Sequence, residues 1–243
     1  MLEAIDAWRH KKRWLLGYSG GLDSSVLLHQ LAAIAQRPAL HAIHVNHQLS
    51  PYADNWQAHA QMVCDQLQVP LTVITVPAPE NRGKGLEDAA RAARYQAFES
   101  VLEEGDVLML AHHQDDQAET MLLRLLRGAG ARGLAGMPQQ RVIGRAELLR
   151  PLLDRGRADL EAYAQANQLK YITDDSNDDT RLDRNYLRSE VMPMLASRWP
   201  GFARNWKHSA DVLAATSEAL DELAEIDGQA CGLQLEPRPL PWR

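Results

Sequence analysis

The sequence predicts an α/β fold in which a doubly wound, mostly parallel sheet carries helices on both faces and is followed by a C-terminal helical extension. Apolar runs of strand length alternate with longer amphipathic stretches from residue 14 to residue 127. The run at residues 107–110 (Val-Leu-Met-Leu) has no polar alternation, which is typical of a strand buried on both faces. Such alternation indicates parallel strands joined by right-handed crossovers.

The predicted elements follow in order along the chain. Strands are predicted over residues 14–18, 40–45, 71–76 and 107–111. A helical pattern starts at Val26, and further helices are predicted over residues 54–67, 86–103, 115–127, 158–168 and 185–195. The glycine-rich run 127–133 is expected to be a mobile loop.

The C-terminal part is expected to differ from the rest. An apolar stripe runs from Phe202 to Leu223 and predicts a long helix, and the proline-rich residues 235–243 are expected to be a linker. We therefore divide the chain into a domain of residues 1–200 and an extension of residues 201–243.

Composition narrows the class of protein. A chain of 243 residues with 45% hydrophobic residues can bury one substantial core. Cys64 and Cys231 lie far apart without a C-x-x-C pair, so neither a disulfide framework nor a zinc ribbon is expected. The N-terminus carries acids where a signal peptide needs basic residues, and no apolar run could span a bilayer. A cytoplasmic location and no membrane partner are expected.

The net charge of −6 argues against indiscriminate binding to nucleic acid. Arginines nevertheless crowd residues 124–157, where Glu147 and Asp154 are the acids between them. These arginines are Arg124, Arg127, Arg132, Arg141, Arg145, Arg150, Arg155 and Arg157. A solvated helix face with charged loops is the simple interpretation. The alternative is a partner rich in phosphate, which arginine binds through its planar fork.

A short polar loop follows the first strand: Ser19, Gly20, Gly21, Leu22, Asp23 and Ser24. Small residues between a strand and a helix leave backbone N–H groups free to bind an anion at the helix N-terminus. No lysine follows the glycines, so this is not a Walker A loop, and the pattern G-x-G-x-x-G is also absent. Asp23 would repel phosphate unless a divalent cation bridges the two. The loop therefore predicts a phosphate site with a metal ion.

A second polar cluster follows the strand at 107–111 and includes His112, His113, Asp115, Asp116 and Glu119. In a helix that begins near residue 114, Asp116 and Glu119 lie on one face, and His112 lies at its N-terminal mouth. Two carboxylates suit Mg²⁺, and they equally suit an ammonium group or its proton. The helix dipole alone also favours acids at this position. Zinc is disfavoured because H-E-x-x-H spacing is absent.

Three polar segments fall directly after predicted strands: residues 19–24, Asn46 with His47, and residues 112–119. In a doubly wound sheet, ligands lie beyond the carboxyl ends of the strands where the strand order reverses. We therefore expect the three segments to meet at one edge. A turn-forming asparagine and a capping histidine would also explain the middle segment.

The sequence leaves the roles of four arginines outside residues 124–157 undecided. Arg91 is expected to pair with Glu87 one helical turn away, whereas Arg94 is either structural or functional. Arg184 and Arg188 are four residues apart and can grip a phosphate or a carboxylate, or else lie on a solvated face. The acidic run 174–179 lacks the glycine of a calcium loop, so that interpretation is rejected.

Together these segments resemble the N-type ATP pyrophosphatase superfamily and, within it, the tRNA(Ile)-lysidine synthase family. The loop 19–24, known as a PP-loop, carries the superfamily likeness. The family likeness rests on residues 45–49, 87–95, 111–120, 149–153, 174–177 and 184–188. It extends from about residue 12 to about residue 200.

The resemblance implies a Rossmann-like fold of the adenine nucleotide α-hydrolase type and a ligase activity. ATP and Mg²⁺ would adenylate the wobble cytidine of an isoleucine tRNA with a CAU anticodon, releasing pyrophosphate. The ε-amine of L-lysine would then displace AMP and form lysidine, which changes codon specificity from AUG to AUA.

The resemblance also implies roles for particular residues. Nucleotide binding would fall to the loop residues Ser19, Gly20, Gly21, Leu22, Asp23 and Ser24, together with Val45, His47 and His112. Catalysis would involve Asp23, Arg94, His112, Asp116, Glu119 and Arg188. Asp23 and Asp116 would hold Mg²⁺, although Asp116 and Glu119 equally suit the lysine amine.

Two departures and two alternatives accompany this resemblance. Ser50 stands where the family often has a basic residue, and the chain ends at Arg243 where many relatives continue with tRNA-binding domains. Some relatives are shorter, which leaves a natural short form open, whereas the proline-rich end favours a fragment. A tRNA 2-thiolation enzyme shares the PP-loop but needs a reactive cysteine. A non-catalytic ATP-binding module is the other alternative. A homodimer is compatible with the sequence.

Overall fold

A mixed sheet is the centre of this computed structural model, which describes residues 3–48, 50–77, 85–173 and 179–230. Its strands within those residues are β1 (Arg13–Gly17), β2 (Ala39–Asn46), β3 (Leu71–Thr75), β4 (Asp106–Met109), β5 (Gln140–Ile143) and β6 (Ala146–Leu149). They are ordered β3-β2-β1-β4-β6-β5, and neighbours are parallel except for β5 and β6. The predicted doubly wound, mostly parallel sheet is confirmed.

Helices connect the strands and extend beyond them. The helices of the described residues are α1 (Leu22–Ala32), α2 (Ala53–Gln66), α3 (Leu86–Glu99), α4 (Gln114–Leu126), α5 (Ala131–Leu134), α6 (Arg157–Ala166), α7 (Asp183–Tyr186), α8 (Met192–Arg198) and α9 (Phe202–Ala230). A π-helical stretch, Leu187–Val191, joins α7 to α8. None of the helices that the structure describes is long and apolar enough to cross a membrane.

Two apolar layers cover the sheet because neighbouring residues of a buried strand point to opposite faces. Leu16 packs in the layer formed with α1, α2 and α6, which includes Leu27 and Leu160. Leu15 packs in the opposite layer with Phe98 of α3 and Leu148. Both side chains are almost fully buried, as expected for a central strand.

The strand order reverses between β1 and β4, which are neighbours although two other strands and their helices separate them in sequence. The chain leaves β1 and β4 at the same edge because the two strands are parallel. The segments that follow them, residues 18–21 and 110–113, therefore emerge side by side. This is where ligands bind in open α/β sheets.

The structure differs from the predictions at three places. Helix α1 begins at Leu22 instead of Val26 because Gly21 is extended and starts the helix, so Asp23 lies in its first turn. The prediction of a mobile loop at 127–133 is wrong in part, because α5 begins within these residues. Arg124 also donates hydrogen bonds to the carbonyl groups of Gly133 and Gly136.

The β5–β6 hairpin was not predicted at all. Its strands are only four residues long, and the first three residues of β5 are exposed at an edge of the sheet, so the hairpin lacks a long apolar run. The predicted stripe on α9 is buried at Ala210 but exposed at Leu220 and Leu223. Residues 174–178 of the acidic run and the expected linker at 235–243 lie outside the described residues.

Candidate active site

The loop 19–24 bends sharply between β1 and α1. The hydroxyl oxygens of Ser19 and Ser24 lie 3.0 Å apart, and the Ser24 hydroxyl donates to the carbonyl of Gly21 at 3.1 Å. Gly20 has a φ of +84°, and a Cβ atom there would lie 2.9 Å from Cδ1 of Ile172. Ile172 in turn donates its N–H to the Gly20 carbonyl at 2.9 Å. Backbone conformation and available space therefore both require glycine at position 20.

Asp23 of the loop contacts the start of α4 through His113. The His113 Nε2 atom lies 3.6 Å from a carboxylate oxygen of Asp23 and 3.5 Å from one of Asp116, and Nδ1 lies 3.5 Å from Asp115. The expected meeting of these two segments is confirmed by this contact. His113 itself had no role in the sequence-based interpretation.

The buried imidazole of His113 carries a positive charge. Burial opposes protonation, but the carboxylates of Asp116, Asp115 and Asp23 outweigh it and raise the pKa of His113 to about 10. The imidazolium therefore links the PP-loop to α4 at neutral pH. The sequence did not indicate this link, because Asp23 lies 90 residues before His113 and only the fold brings the two together.

Asp116 and Glu119 lie on one buried face of α4, as predicted, and two arginines bind them. Arg188 forms a fork with Glu119 at 2.7 and 2.9 Å and also reaches Asp116 at 2.9 Å. Arg184 contacts Glu119 at 2.9 Å and Asp116 at 3.3 Å. The other Asp116 oxygen accepts the backbone N–H of His113 at 3.0 Å.

These contacts set the charge of the cluster. Burial would favour a neutral Asp116, yet His113 and Arg184 outweigh it and lower the pKa of Asp116. Burial likewise opposes the charge of Arg188, but Glu119 raises the pKa of Arg188 above its usual value. Asp116, Arg184 and Arg188 are therefore charged at neutral pH. Fork-shaped guanidinium–carboxylate pairs of this kind are the strongest ion pairs in proteins.

Arg184 was not among the predicted catalytic residues. Its spacing of four residues from Arg188 did indicate that the two side chains could bind one group together. Both side chains project from one face of the helical stretch formed by α7 and Leu187–Val191. Of the three alternatives left open, the structure shows carboxylate binding and contradicts the solvated face. The two arginines thereby tie residues 183–191 to α4.

His112 is neutral and has a defined tautomer. Burial lowers the pKa of His112 to about 3; Asp116 opposes this, and Arg150, Arg184 and Arg94 lower it further. Arg150 donates its Nε–H to Nδ1 of His112 at 3.3 Å. Because Nδ1 accepts, the single ring proton lies on Nε2, where it can be donated to a ligand.

The remaining predicted segment, Asn46 with His47, lies at the end of β2. Burial lowers the pKa of His47, and the charges of Arg94 and His44 add to this effect. The charge of Arg94 lowers the pKa of His47 and that of His112, so Arg94 lies close to both histidines. The Nδ1 atom of His47 is buried without a hydrogen-bond partner in the described part of the chain. Val45 pairs with Ile74 of β3 and packs on the apolar layer of α3.

A metal ion would find one suitable protein ligand here. Among the described residues, no group of three or more His, Cys, Asp or Glu side chains is arranged to hold a metal. One Asp23 oxygen is buried without a hydrogen bond, and Arg157 lies 3.8 Å from it. Asp23 thus fits Mg²⁺, which takes one or two carboxylates together with phosphate oxygens. Asp116 does not fit in this arrangement because Arg184, Arg188 and the His113 N–H occupy its oxygens.

A comparison of the sequence with known protein families supports both the fold and the interpretation of the loop 19–24. Residues 1–195 match the family described as the PP-loop domain. This chain belongs to the PP-loop domain family. The resemblance seen in the loop 19–24 is thus confirmed, and family membership supports ATP binding by the chain.

Two curated relatives show a closer likeness. The chain is 51% identical over 245 residues to the tRNA(Ile)-lysidine synthase of Pseudomonas aeruginosa, which covers 100% of this chain and 54% of that protein. It is 50% identical over 230 residues to the tRNA(Ile)-lysidine synthase of Pseudomonas syringae pv. tomato, covering 93% of this chain and 51% of that protein. The chain therefore spans about half the length of the curated relatives it matches.

Among solved structures, the chain resembles a U34-tRNA thiolase from Methanococcus maripaludis that carries an iron–sulfur cluster. The TM-score is 0.69 with 17% identity, over 86% of this chain and 74% of that chain. At this identity the likeness shows a shared fold.

Proposed function

We propose that this chain is the ATP-dependent catalytic part of a tRNA(Ile)-lysidine synthase, a ligase that converts ATP to AMP and pyrophosphate. The observation that carries the proposal is the 51% identity to such an enzyme along the whole chain. The geometry supports it, because an anion-binding loop and a buried pair of carboxylates share one edge of the sheet. The proposed partners are a CAU-anticodon isoleucine tRNA and L-lysine.

In the first proposed step, the O2 atom of the wobble cytidine attacks the α-phosphorus of ATP. A new P–O bond forms, the α–β bond breaks, and pyrophosphate leaves. The N–H groups of the loop 19–24 and the N-terminus of α1 face the leaving pyrophosphate. The Nε2–H of neutral His112 and the charge of Arg94 stabilise the α-phosphate. His47 and Val45, at the end of β2, flank the adenine.

In the second proposed step, the ε-amine of lysine attacks C2 of the adenylated cytidine. The ammonium first releases a proton to solvent water; the neutral amine then forms the C–N bond to C2, and the C–O bond to AMP breaks. The lowered pKa of Asp116 makes it a weak base. We therefore propose that Arg184 and Arg188 hold Asp116 and Glu119 in place before lysine arrives and release them so that both carboxylates bind the lysine ammonium.

We propose Asp23 as the protein ligand of the Mg²⁺ that accompanies ATP, where the ion neutralises phosphate charge. Asp23 has an oxygen without a hydrogen bond next to the loop. Asp116, the second ligand suggested by the resemblance, would bind Mg²⁺ only after Arg184 and Arg188 release it.

The thiolation alternative has weaker support. Cys64 is fully buried in α2, and burial raises the pKa of its thiol to about 12. A protonated, inaccessible thiol is a poor sulfur carrier, and Cys231 lies outside the described residues. We expect the double variant Cys64→Ser, Cys231→Ser to keep its tRNA-modifying activity; complete loss of modification would favour thiolation.

The deciding experiment is mass spectrometry of CAU-anticodon tRNA after incubation with the protein, ATP and isotopically labelled lysine. We expect the label in the tRNA, and pyrophosphate release that depends on that tRNA. ATP binding without any release would support a non-catalytic nucleotide-binding module, and release without tRNA would contradict the proposed ligase. A tRNA whose wobble cytidine is replaced by uridine is the matched control.

We also propose that the protein forms a homodimer through α9. Leu220, Leu223 and Ile226 are each more than half exposed on this helix. Sedimentation of the wild type and of Leu223→Glu tests this: we expect the variant to dissociate, and a monomeric wild type contradicts the proposal.

A further inference from the structure

The arginines crowded between residues 124 and 157 separate into two groups in the structure. Arg132 pairs with Asp221, Arg127 lies 3.9 Å from Asp183, and Arg157 binds Glu161 at 3.0 Å. These exposed pairs are ordinary surface ion pairs. Arg141 and Arg150, in contrast, converge on the aromatic ring of Tyr95, which projects from α3.

Three guanidinium groups surround Tyr95. Those of Arg141 and Arg91 lie 5.1 and 5.3 Å from the centre of its ring, a cation–π distance. Arg150 lies beside the phenol, with Nη2 3.5 Å from the hydroxyl oxygen, and its Nη1 donates to the carbonyl of Pro138 at 2.6 Å. These residues come from α3, from β5 and from the residue after β6, so only the fold brings them together.

Within the described residues, Arg141 and Arg150 bring positive charge to this cluster without a carboxylate partner. In the part of the chain that the structure describes, no carboxylate lies within ion-pair distance of Arg141 or Arg150, and Arg150 is only 2% exposed. Burial and the neighbouring charges of Arg141 and Arg91 lower the pKa of Arg150. Burial favours a neutral Tyr95, yet the guanidinium groups outweigh it and lower the pKa of Tyr95. A buried cation without a counter-ion is costly, which indicates that a ligand supplies the negative charge.

We propose that Arg141 and Tyr95, with the buried charge of Arg150 behind them, form a subsite for a backbone phosphate of the RNA substrate, beside its reacting nucleotide. The inference rests on the proposed function and deepens it. Arg150 hydrogen-bonds to His112, so the subsite adjoins the site where the α-phosphate of ATP would react. The loop 19–24 already provides the anion site for the triphosphate. Arg141 is exposed on edge strand β5, where a polymer can reach it, and arginine–aromatic surfaces suit RNA.

The test compares RNA binding by the full chain and by two variants of the same hairpin. Arg141→Ala removes an exposed guanidinium of the subsite, and Arg145→Ala removes an exposed one from the neighbouring turn. Affinity for CAU-anticodon tRNA is measured over a series of salt concentrations, and ATP affinity is measured separately. We expect Arg141→Ala to weaken tRNA binding about tenfold and to reduce the slope of log K against log salt by about 0.7 to 1. Arg145→Ala should stay within about twofold of the wild type.

Four other outcomes would contradict the subsite. An unchanged slope for Arg141→Ala, or an equal loss for Arg145→Ala, would mean that Arg141 contributes no specific contact. A loss of ATP affinity with intact tRNA affinity would assign the cluster to nucleotide phosphates. A wild type that binds no RNA would also overturn it. Failure of lysine incorporation with the expected slope change would instead contradict the proposed function alone.

Discussion

Single residues of this site act through buried charges. His113 is 1% exposed and lies between three carboxylates, and Asp116 is bound by two arginines and a backbone N–H. Each charge is stable only because its partner is present, since an unpaired buried charge is costly. Replacing one member should therefore affect both the chemistry and the stability of the fold.

We expect Asp116→Asn to reduce tRNA-dependent pyrophosphate release at least about 100-fold, because a developing or bound positive charge loses its partner. The free energy of unfolding should fall by about 1 to 3 kcal/mol, since Glu119 still binds both arginines. Asp65→Asn is the control: Asp65 is exposed on α2, away from the site, and accepts from the Gln61 amide at 2.8 Å, which asparagine can also do. Turnover near the wild-type rate in Asp116→Asn would remove Asp116 from the site.

His44 predicts how stability depends on pH. It is 5% exposed, burial lowers its pKa, and its hydrogen bond to the Tyr18 carbonyl at 3.0 Å only partly opposes this. Below about pH 6.5 the unfolded chain binds a proton that the folded chain does not, so stability is lost as the pH falls. The contribution of one histidine is at most about 1.4 kcal/mol per pH unit.

Urea unfolding of the wild type and of His44→Gln between about pH 7 and about pH 5 measures this effect. We expect a shallower decline in the variant. Parallel curves for the two proteins would show that His44 does not contribute.

At the scale of elements, the helical stretch 183–191 depends on α4 for its position. The side chains of Arg184 and Arg188 supply its ion pairs to Asp116 and Glu119. π-Helical stretches of this kind are often found at functional sites. Leu187 is the buried apolar residue of this stretch, so loss of an ion pair to α4 should allow it to open locally without unfolding the sheet.

We expect Arg184→Ala to accelerate amide hydrogen exchange in residues 183–198 by about tenfold, with exchange in β1 and β4 unchanged. Arg181→Ala is the matched control, because Arg181 is 89% exposed and pairs only locally with Asp179. Uniform acceleration across the protein would instead indicate a general loss of stability. Unchanged exchange would show that the ion pairs do not hold this stretch.

The PP-loop gives a second prediction at this scale. In Gly20→Ala, the methyl group would meet Ile172 and the backbone would keep an unfavourable positive φ. We expect ATP affinity to fall at least about tenfold, measured by calorimetry, because the loop must shift. Gly130→Ala is the control, since that position has open space and a negative φ. Normal ATP binding by Gly20→Ala would contradict the anion-binding role of this turn.

For the whole molecule, the reversal of strand order between β1 and β4 is the place where ligands are expected to bind. The loop and α4 meet there only in the folded state, so ATP bound between them should stabilise the fold against unfolding. At ATP concentrations of about 100 Kd, the expected gain in the free energy of unfolding is about 2.7 kcal/mol.

The proposed division at residue 200 remains a prediction, although α9 packs on α4 and α5.

We expect Mg²⁺ to increase the stabilisation by ATP, and we expect Asp23→Asn to abolish that increase while ATP alone still binds. Thermal unfolding with ATP, in the presence of Mg²⁺ or of EDTA, measures the two effects. Equal Mg²⁺ dependence in the wild type and in Asp23→Asn would exclude Asp23 as the ligand.

The sequence by itself determined the parallel sheet, the PP-loop and the shared face of Asp116 and Glu119. These follow from local patterns: strand and helix periodicity, glycine at a turn, and a spacing of three residues on a helix. The tertiary structure decided the pairing of those carboxylates with Arg184 and Arg188, the charge of His113, and the cluster around Tyr95. Such contacts join residues far apart in the chain, and burial sets their charges, so no local pattern contains them.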